Sequence, residues 1–170
     1  MQGHDENGRV VYIATFSRTL APSFRIAFAV LPPELLRSYK SVFGFSSPTV
    51  SRFEQQTLAA FMKNGGYLRH LRRTCLSYGA KQKKLRELLS REPGITISGD
   101  EAGLHFLLSV KNKTENELVS ALLREGIAVS GASAYAKKTK MPQNAVVIGF
   151  AGIAADELEA IAEKIVRAAL

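Results

Sequence analysis

Apolar residues recur along this chain in different rhythms, and each rhythm predicts a different element. Val10, Val11, Tyr12, Ile13 and Ala14 form one short unbroken run, and Ile26 to Leu31 form another directly after Arg25. Short, continuous and bounded by turn residues, residues 10–14 and 25–31 read as buried strands. Pro32 and Pro33 stop the second run. Proline lacks an N–H and has a fixed φ, so Pro33 suits the first turn of a helix through Leu35, Leu36 and Tyr39. Ser47 and Pro48 are expected to open a longer helix carrying Phe53, Leu58 and Phe61, which Gly65 and Gly66 break. A further helix follows, with Leu68, Leu71, Cys75, Leu85, Leu88 and Leu89 near helical spacing, and ends before Pro93 and Gly94.

From there the pattern alternates between strands and helices. Ile95–Ile97 and Leu104–Val110 read as strands joined by a short turn at Gly99 and Asp100. Thr114 and Glu117 have the spacing of a capping box ahead of Leu118, Val119, Leu122 and Leu123. Ile127–Val129 and Ala145–Phe150 are two more expected strands. Leu158, Ile161, Ala162, Ile165, Val166 and Ala169 mark one face of a final helix. The loop from Ser130 to Asn144 holds Lys137, Lys138 and Lys140, expected to be exposed and mobile. Residues 67–170 therefore predict an α+β unit able to close its own sheet. Residues 1–46 offer two strands and a helix, too little for the sheet of an α/β domain. Residues 47–66 link the two.

Composition narrows the setting. A chain of 170 residues, 46% hydrophobic and 22% charged, suits one domain or one domain plus a fragment. A single cysteine, Cys75, excludes an intrachain disulfide, and a reducing cytoplasm fits. His4, His70 and His105 show no metal-ligand spacing. No apolar run approaches a membrane span. The net charge of +8 raises the question of nucleic acid. Its cations gather at Arg69, Arg72, Arg73, Lys81, Lys83, Lys84, Arg86 and Arg91, where they form the outer face of the long helix. No zinc finger, RNA-binding sheet motif or basic zipper accompanies them, so a solvated helix face is the reading preferred over a DNA-reading helix.

The candidate chemistry lies in TFSRTLAPSFR, residues 15–25. Two hydroxyls, Thr15 and Ser17, and two cations, Arg18 and Arg25, surround a turn at the end of the first strand. Hydroxyls can donate to phosphate oxygens, and a guanidinium offers a planar fork to a dianion. The string TFSRTLAPSFRIAFAVLPPELL resembles the cofactor-lysine segment of fold-type I pyridoxal-phosphate enzymes, which runs from strand to hydroxyls, to a Schiff-base lysine, to an arginine seven residues later. QGHDENGRVVYIATFS, LPPELL, YLRHLRR and VVIGFAGI are similar to segments of the aminotransferase domain of MocR-type regulators, a branch of the GntR family.

The resemblance implies a pyridoxal-phosphate transferase-like α/β fold, with residues 1–46 as a remnant of the large cofactor domain and 67–170 as the small C-terminal domain. A complete member would carry a winged helix-turn-helix domain, a linker and most of the large domain before residue 1. The resemblance sets Thr15, Ser17 and Arg25 at phosphate-contacting positions, Tyr135 on the substrate side, and Arg18 at the Schiff-base position. A guanidinium stays charged and its nitrogens are delocalised, so it cannot take a lysine's part. Any pyridoxal phosphate is therefore expected to bind non-covalently. Val147 stands three residues before Phe150, where the family often places the arginine for a substrate carboxylate. These departures lead to an expectation of no transaminase activity. Alternatives that stay open are a module for a phosphorylated ligand or a docking partner, an active aminotransferase, and a nucleic-acid binder. A homo-oligomer or a partner completing the large domain is expected, and no membrane. The chain alone is not expected to bind DNA.

Overall fold

A computed structural model describes residues 2–47, 49–99, 103–136 and 144–170. The chain divides into two units, Met1–Thr74 and Cys75–Leu170. In the first, β1 (Tyr12–Thr15) and β2 (Ala27–Val30) pair antiparallel, with Tyr12 opposite Val30 and Thr15 opposite Ala27. The expectation that these runs are buried does not hold: Ile13 is 71% exposed, Tyr12 47% and Phe28 42%. A two-stranded ribbon has two faces to cover, and among the described residues no third strand joins it. Only its closed end is covered, where Phe16 and Ile26 pack against Leu58. Each uncovered Ile, Val or Phe forgoes roughly 1.5–3 kcal/mol of burial.

Helix α1 (Pro33–Phe43) starts with proline in its first turn, as its sequence predicts, and buries none of its described residues. Helix α2 (Arg52–Lys63) has Ser51 at its N-cap, so it opens later than Ser47 and Pro48. Val50, on a bend ahead of the helix, packs beside Phe16, Ile26 and Leu58, so the residues before Ser51 bury an apolar side chain outside the helix. Pro48 itself lies outside the described residues. Gly65, at φ +73°, makes the predicted break before α3 (Gly66–Leu89), in a conformation open to glycine.

The second unit takes the later part of α3, then β3 (Ile95–Ser98), β4 (His105–Val110), α4 (Glu115–Arg124), β5 (Ser130–Gly131), β6 (Ala145–Gly149) and α5 (Leu158–Ala169). The sheet runs β3-β4-β6-β5 and is antiparallel throughout. This is the α+β arrangement expected of the segment. Alternation on β4 sends Phe106, Leu108 and Val110 into the core, where Leu85, Leu89, Leu118, Leu122, Ile148 and Ile165 meet them. Its other face carries His105, Leu107 and Ser109.

The strand expected at Ile127–Val129 is displaced to Ser130–Gly131. Gly126, at φ +80°, ends α4, and Ile127 N–H returns to the Leu122 carbonyl at 2.8 Å. That bond is the long one of a Schellman cap, so residues 127–129 leave the helix with no ladder partner. Ile127 and Val129 still pack on the core, and pairing starts with Ser130 opposite Val147. Lys137, Lys138 and Lys140 lie outside the described residues.

Cations of α3 in this unit serve the fold. Lys84 pairs with Glu159 at 2.7 Å, Arg86 donates to the Gly99 carbonyl at 2.9 Å, and Lys81 donates to the carbonyls of Ala151 and Ile153. No described helix is long and apolar enough to cross a membrane.

The capping box predicted for α4 is formed. Glu117 N–H donates to Thr114 Oγ1 at 3.4 Å, and Thr114 N–H donates to the Glu117 carboxylate at 2.7 Å. The Thr114 N–H first, and its hydroxyl second, hold the Glu117 carboxyl below the usual carboxylate range. A carboxyl with a lowered folded pKa contributes stability above its unfolded pKa and loses it as pH falls through the folded value. Urea unfolding should therefore show Thr114→Ala less stable by about 1 kcal/mol. For Glu117→Gln, the deficit against the unmodified chain should be full near neutral pH and shrink below about pH 4. A deficit that grows on acidification would contradict this account of the cap.

Candidate functional site

The candidate site occupies the turn that joins β1 to β2. Phe16 N–H donates to the Ile26 carbonyl at 2.9 Å, carrying the pairing one step past the strands. The Phe16 carbonyl then receives Thr19 N–H at 3.1 Å and Leu20 N–H at 2.8 Å, which folds Ser17 and Arg18 into a tight bend. A second bend closes where Phe24 N–H meets the Ala21 carbonyl at 2.9 Å, around Pro22 and Ser23. Proline at that point pre-sets φ for a turn.

This path brings Thr15 and Ser17 together, with their hydroxyl oxygens 3.1 Å apart. Ser17 Oγ donates to the Phe24 carbonyl at 2.8 Å, and Thr15 Oγ1 lies 3.2 Å from the Ile26 carbonyl. Thr15 Oγ1 also accepts Ser17 N–H at 3.2 Å. A hydroxyl has a single proton to donate. Both protons are thus directed at groups within the turn, and a phosphate would have to turn at least one toward itself. Thr15 is exposed and Ser17 half-buried, so water can satisfy a released carbonyl. Arg18 and Arg25 are exposed at the two ends of the turn. Among the described residues, neither guanidinium has a hydrogen-bond or ion-pair partner. The turn therefore fits the phosphate end of pyridoxal phosphate, with two hydroxyls and free guanidinium groups. It does not fit covalent attachment at position 18, where no amine is present.

Two residues that sequence reasoning passed over reach this turn from α3. Tyr67 OH donates to Thr19 Oγ1 at 3.3 Å, and His70 Nε2 lies 2.9 Å from the Thr19 carbonyl. A carbonyl only accepts, so the imidazole proton of this bond sits on Nε2. Their i, i+3 spacing places both on one helix face, which was the available signal. Counting histidines for a metal set hid it.

Val147 and Tyr135 lie in the second unit. Val147 is half-buried between Leu107 and Ser130 on the open face of the sheet. It lines a cleft of about 810 Å3 together with His105, Leu107, Val129 and Tyr135. The wall at position 147 is apolar and offers a carboxylate no cation. Tyr135 is 65% exposed on a short 3-10 turn, Ala132–Tyr135. Glu115 anchors that turn by accepting Ser133 N–H at 2.9 Å and the Ser133 hydroxyl. The Glu115 side chain fills the space that a Cβ on Gly131 would need. Glu115 is a third residue that sequence reasoning did not single out.

Comparison with known proteins agrees with the fold. The model of the family "Aminotransferase class I and II" matches residues 1–165. The uncharacterized HTH-type transcriptional regulator YhdI of Bacillus subtilis is 34% identical over 162 residues, which cover 93% of this chain and 34% of YhdI. The "Probable rhizopine catabolism regulatory protein MocR" of Rhizobium meliloti is 35% identical over 156 residues, covering 90% of this chain and 31% of MocR. Among solved structures, the kynurenine aminotransferase of Pyrococcus horikoshii in complex with PMP has a TM-score of 0.82 at 20% identity, over 96% of this chain and 41% of the enzyme. The architecture is thus that of part of a fold-type I pyridoxal-phosphate-dependent transferase. The chain spans about a third of the length of the curated relatives it matches. With both units matched by one model over nearly all their residues, the chain belongs to the aminotransferase class I and II family.

Proposed function

We propose that the chain is part of the aminotransferase-like domain of a MocR-type transcriptional regulator, and that it holds a phosphate-bearing ligand non-covalently without transaminase activity. In this reading residues 1–46 belong to the large cofactor domain, 47–66 link, and 67–170 form the small C-terminal domain. The observation that carries the proposal is Arg18, a guanidinium on the exposed bend beside the Thr15 and Ser17 hydroxyl pair. A nucleophile here must lose a proton and attack a carbonyl, and a guanidinium keeps its charge at any ordinary pH. Thr15, Ser17 and Arg25 would hold the phosphate of pyridoxal phosphate, whose ring, when bound, supplies an electron sink for amino-acid chemistry. Val147 supports the loss of activity, since its apolar side chain leaves a substrate carboxylate without a clamp at that position. Similarity to YhdI and MocR supports the regulatory setting. A cytoplasmic location is part of the same reading.

A second reading has its own observation, the apolar surface of the first unit. Ile13 is 71% exposed, Val42 69%, Phe53 78% and Phe45 fully so. Surfaces of this kind mark sites of association. The occupant in this reading is a second copy or a partner that completes the large domain.

Two measurements test these readings. The chain is mixed with pyridoxal phosphate, reduced with borohydride and mapped by mass spectrometry. No label should appear on residues 10–25 of the unmodified chain, whereas Arg18→Lys should acquire it at position 18. A stoichiometric label at a single lysine anywhere in the unmodified chain would overturn non-covalent binding. For association, sedimentation should show species larger than a monomer, shifted toward monomer by Ile13→Ser combined with Phe45→Ser. A monomeric unmodified chain would count against self-association.

A further inference from the structure

Among the described residues of the first unit, two side chains of α3 make hydrogen bonds to the candidate turn. Among its described residues, Tyr67 and His70 make the side-chain hydrogen bonds that reach furthest along the chain, over 48 and 51 residues. All its other side-chain bonds span 11 residues or fewer. Both long bonds end on Thr19, the residue directly after Arg18. From these contacts we infer that Tyr67 and His70 are positioning residues, which hold the bend carrying Ser17 and Arg18 in the form that receives the ligand. The inference rests on the reading of this turn as a phosphate site.

The geometry gives each residue a separate task. Tyr67 OH donates to the Thr19 hydroxyl, which donates to the Phe16 carbonyl at 3.3 Å. That carbonyl already receives Thr19 N–H and Leu20 N–H, so the chain of bonds closes on the centre of the bend. The Tyr67 ring also packs edge-on against Phe16, with centroids 5.8 Å apart, which fixes where its hydroxyl stands. His70 acts through a different group, the Thr19 carbonyl, at 2.9 Å. With Thr19 held at both its hydroxyl and its carbonyl, the peptide after Arg18 loses most of its rotational freedom. Among the described residues, the side chains of Thr15 and Ser17 bond only to each other's residues and to the Phe24 and Ile26 carbonyls, and Arg18 to nothing. The bend's position relative to the rest of its unit therefore falls to α3.

Trypsin reads this directly, because it cuts after Arg18 only when the Arg18–Thr19 peptide leaves the bend. Cleavage after Arg91, in the second unit, serves as the internal reference for general loosening. His70→Leu should raise the relative rate after Arg18 about five- to tenfold, the factor expected for one lost hydrogen bond. His70→Gln, whose amide can still donate to the Thr19 carbonyl, should stay near the unmodified rate. Tyr67→Phe keeps the ring and removes only the hydroxyl, so it should raise the rate by a smaller factor even if His70→Leu folds poorly. The inference is overturned if Tyr67→Phe and His70→Leu are cut at the unmodified rate, or if His70→Gln behaves as His70→Leu. Inorganic phosphate should slow the cut in the unmodified chain and in His70→Gln, and much less in His70→Leu. Equal protection by phosphate in all three would overturn the positioning role. If phosphate protects none while the cleavage order holds, the phosphate reading falls and the clamp stands.

Discussion

Phe16 holds the turn between β1 and β2 in two ways. Its ring lies in the small core of the first unit with Ile26 and Leu58, 8% exposed, while its carbonyl receives three donors from Thr19 and Leu20. The ring sets where the turn stands, and the carbonyl sets how tightly it bends. Every candidate ligand group is placed by that arrangement: Thr15 and Ser17 flank Phe16 in sequence, Arg18 rides the bend, and Arg25 precedes Ile26, whose carbonyl receives Phe16 N–H. The ribbon around it has little apolar cover of its own. A turn in such a place keeps its form through polar bonds, which is why the tie from α3 matters.

The chemistry follows from what each group can still do once the turn is formed. Two hydroxyls 3.1 Å apart suit the adjacent oxygens of a phosphate, provided that their bonds to the Phe24 and Ile26 carbonyls can yield. Guanidinium groups without partners among the described residues supply charge and planar donors. None of these groups supplies a neutral amine. In the proposed reading, the aminotransferase class I and II family, to which the chain belongs, brings a frame for a phosphate, and the residue at position 18 directs what that frame can do. Fold does not by itself establish a reaction.

Much of this was legible in the sequence where local physics decides. Thr114 and Glu117 announced their capping box, Gly65 its helix break, and the apolar run from Leu104 to Val110 its strand. Legibility failed where the answer depended on neighbours. Ile13 and Phe28 look like core residues, yet among the described residues each strand of the ribbon pairs only with the other and leaves them exposed. Ile127–Val129 has strand composition, but the Schellman cap at Gly126 takes those residues out of register. At the site, Thr15, Ser17, Arg18 and Arg25 could be singled out because they are contiguous. The spacing of Tyr67 and His70 sets them on one helix face, but it does not show that this face meets Thr19, a contact made from far along the chain.

The central claim, that this turn holds a phosphate without a covalent anchor, is tested most directly by calorimetric titration of pyridoxal phosphate into the intact chain and into Arg25→Ala. The account predicts binding that dialysis reverses in the unmodified chain and that Arg25→Ala weakens roughly tenfold or more, as for loss of a charged hydrogen bond. Absence of binding, equal affinity in the two proteins, or ligand that dialysis cannot remove would contradict it.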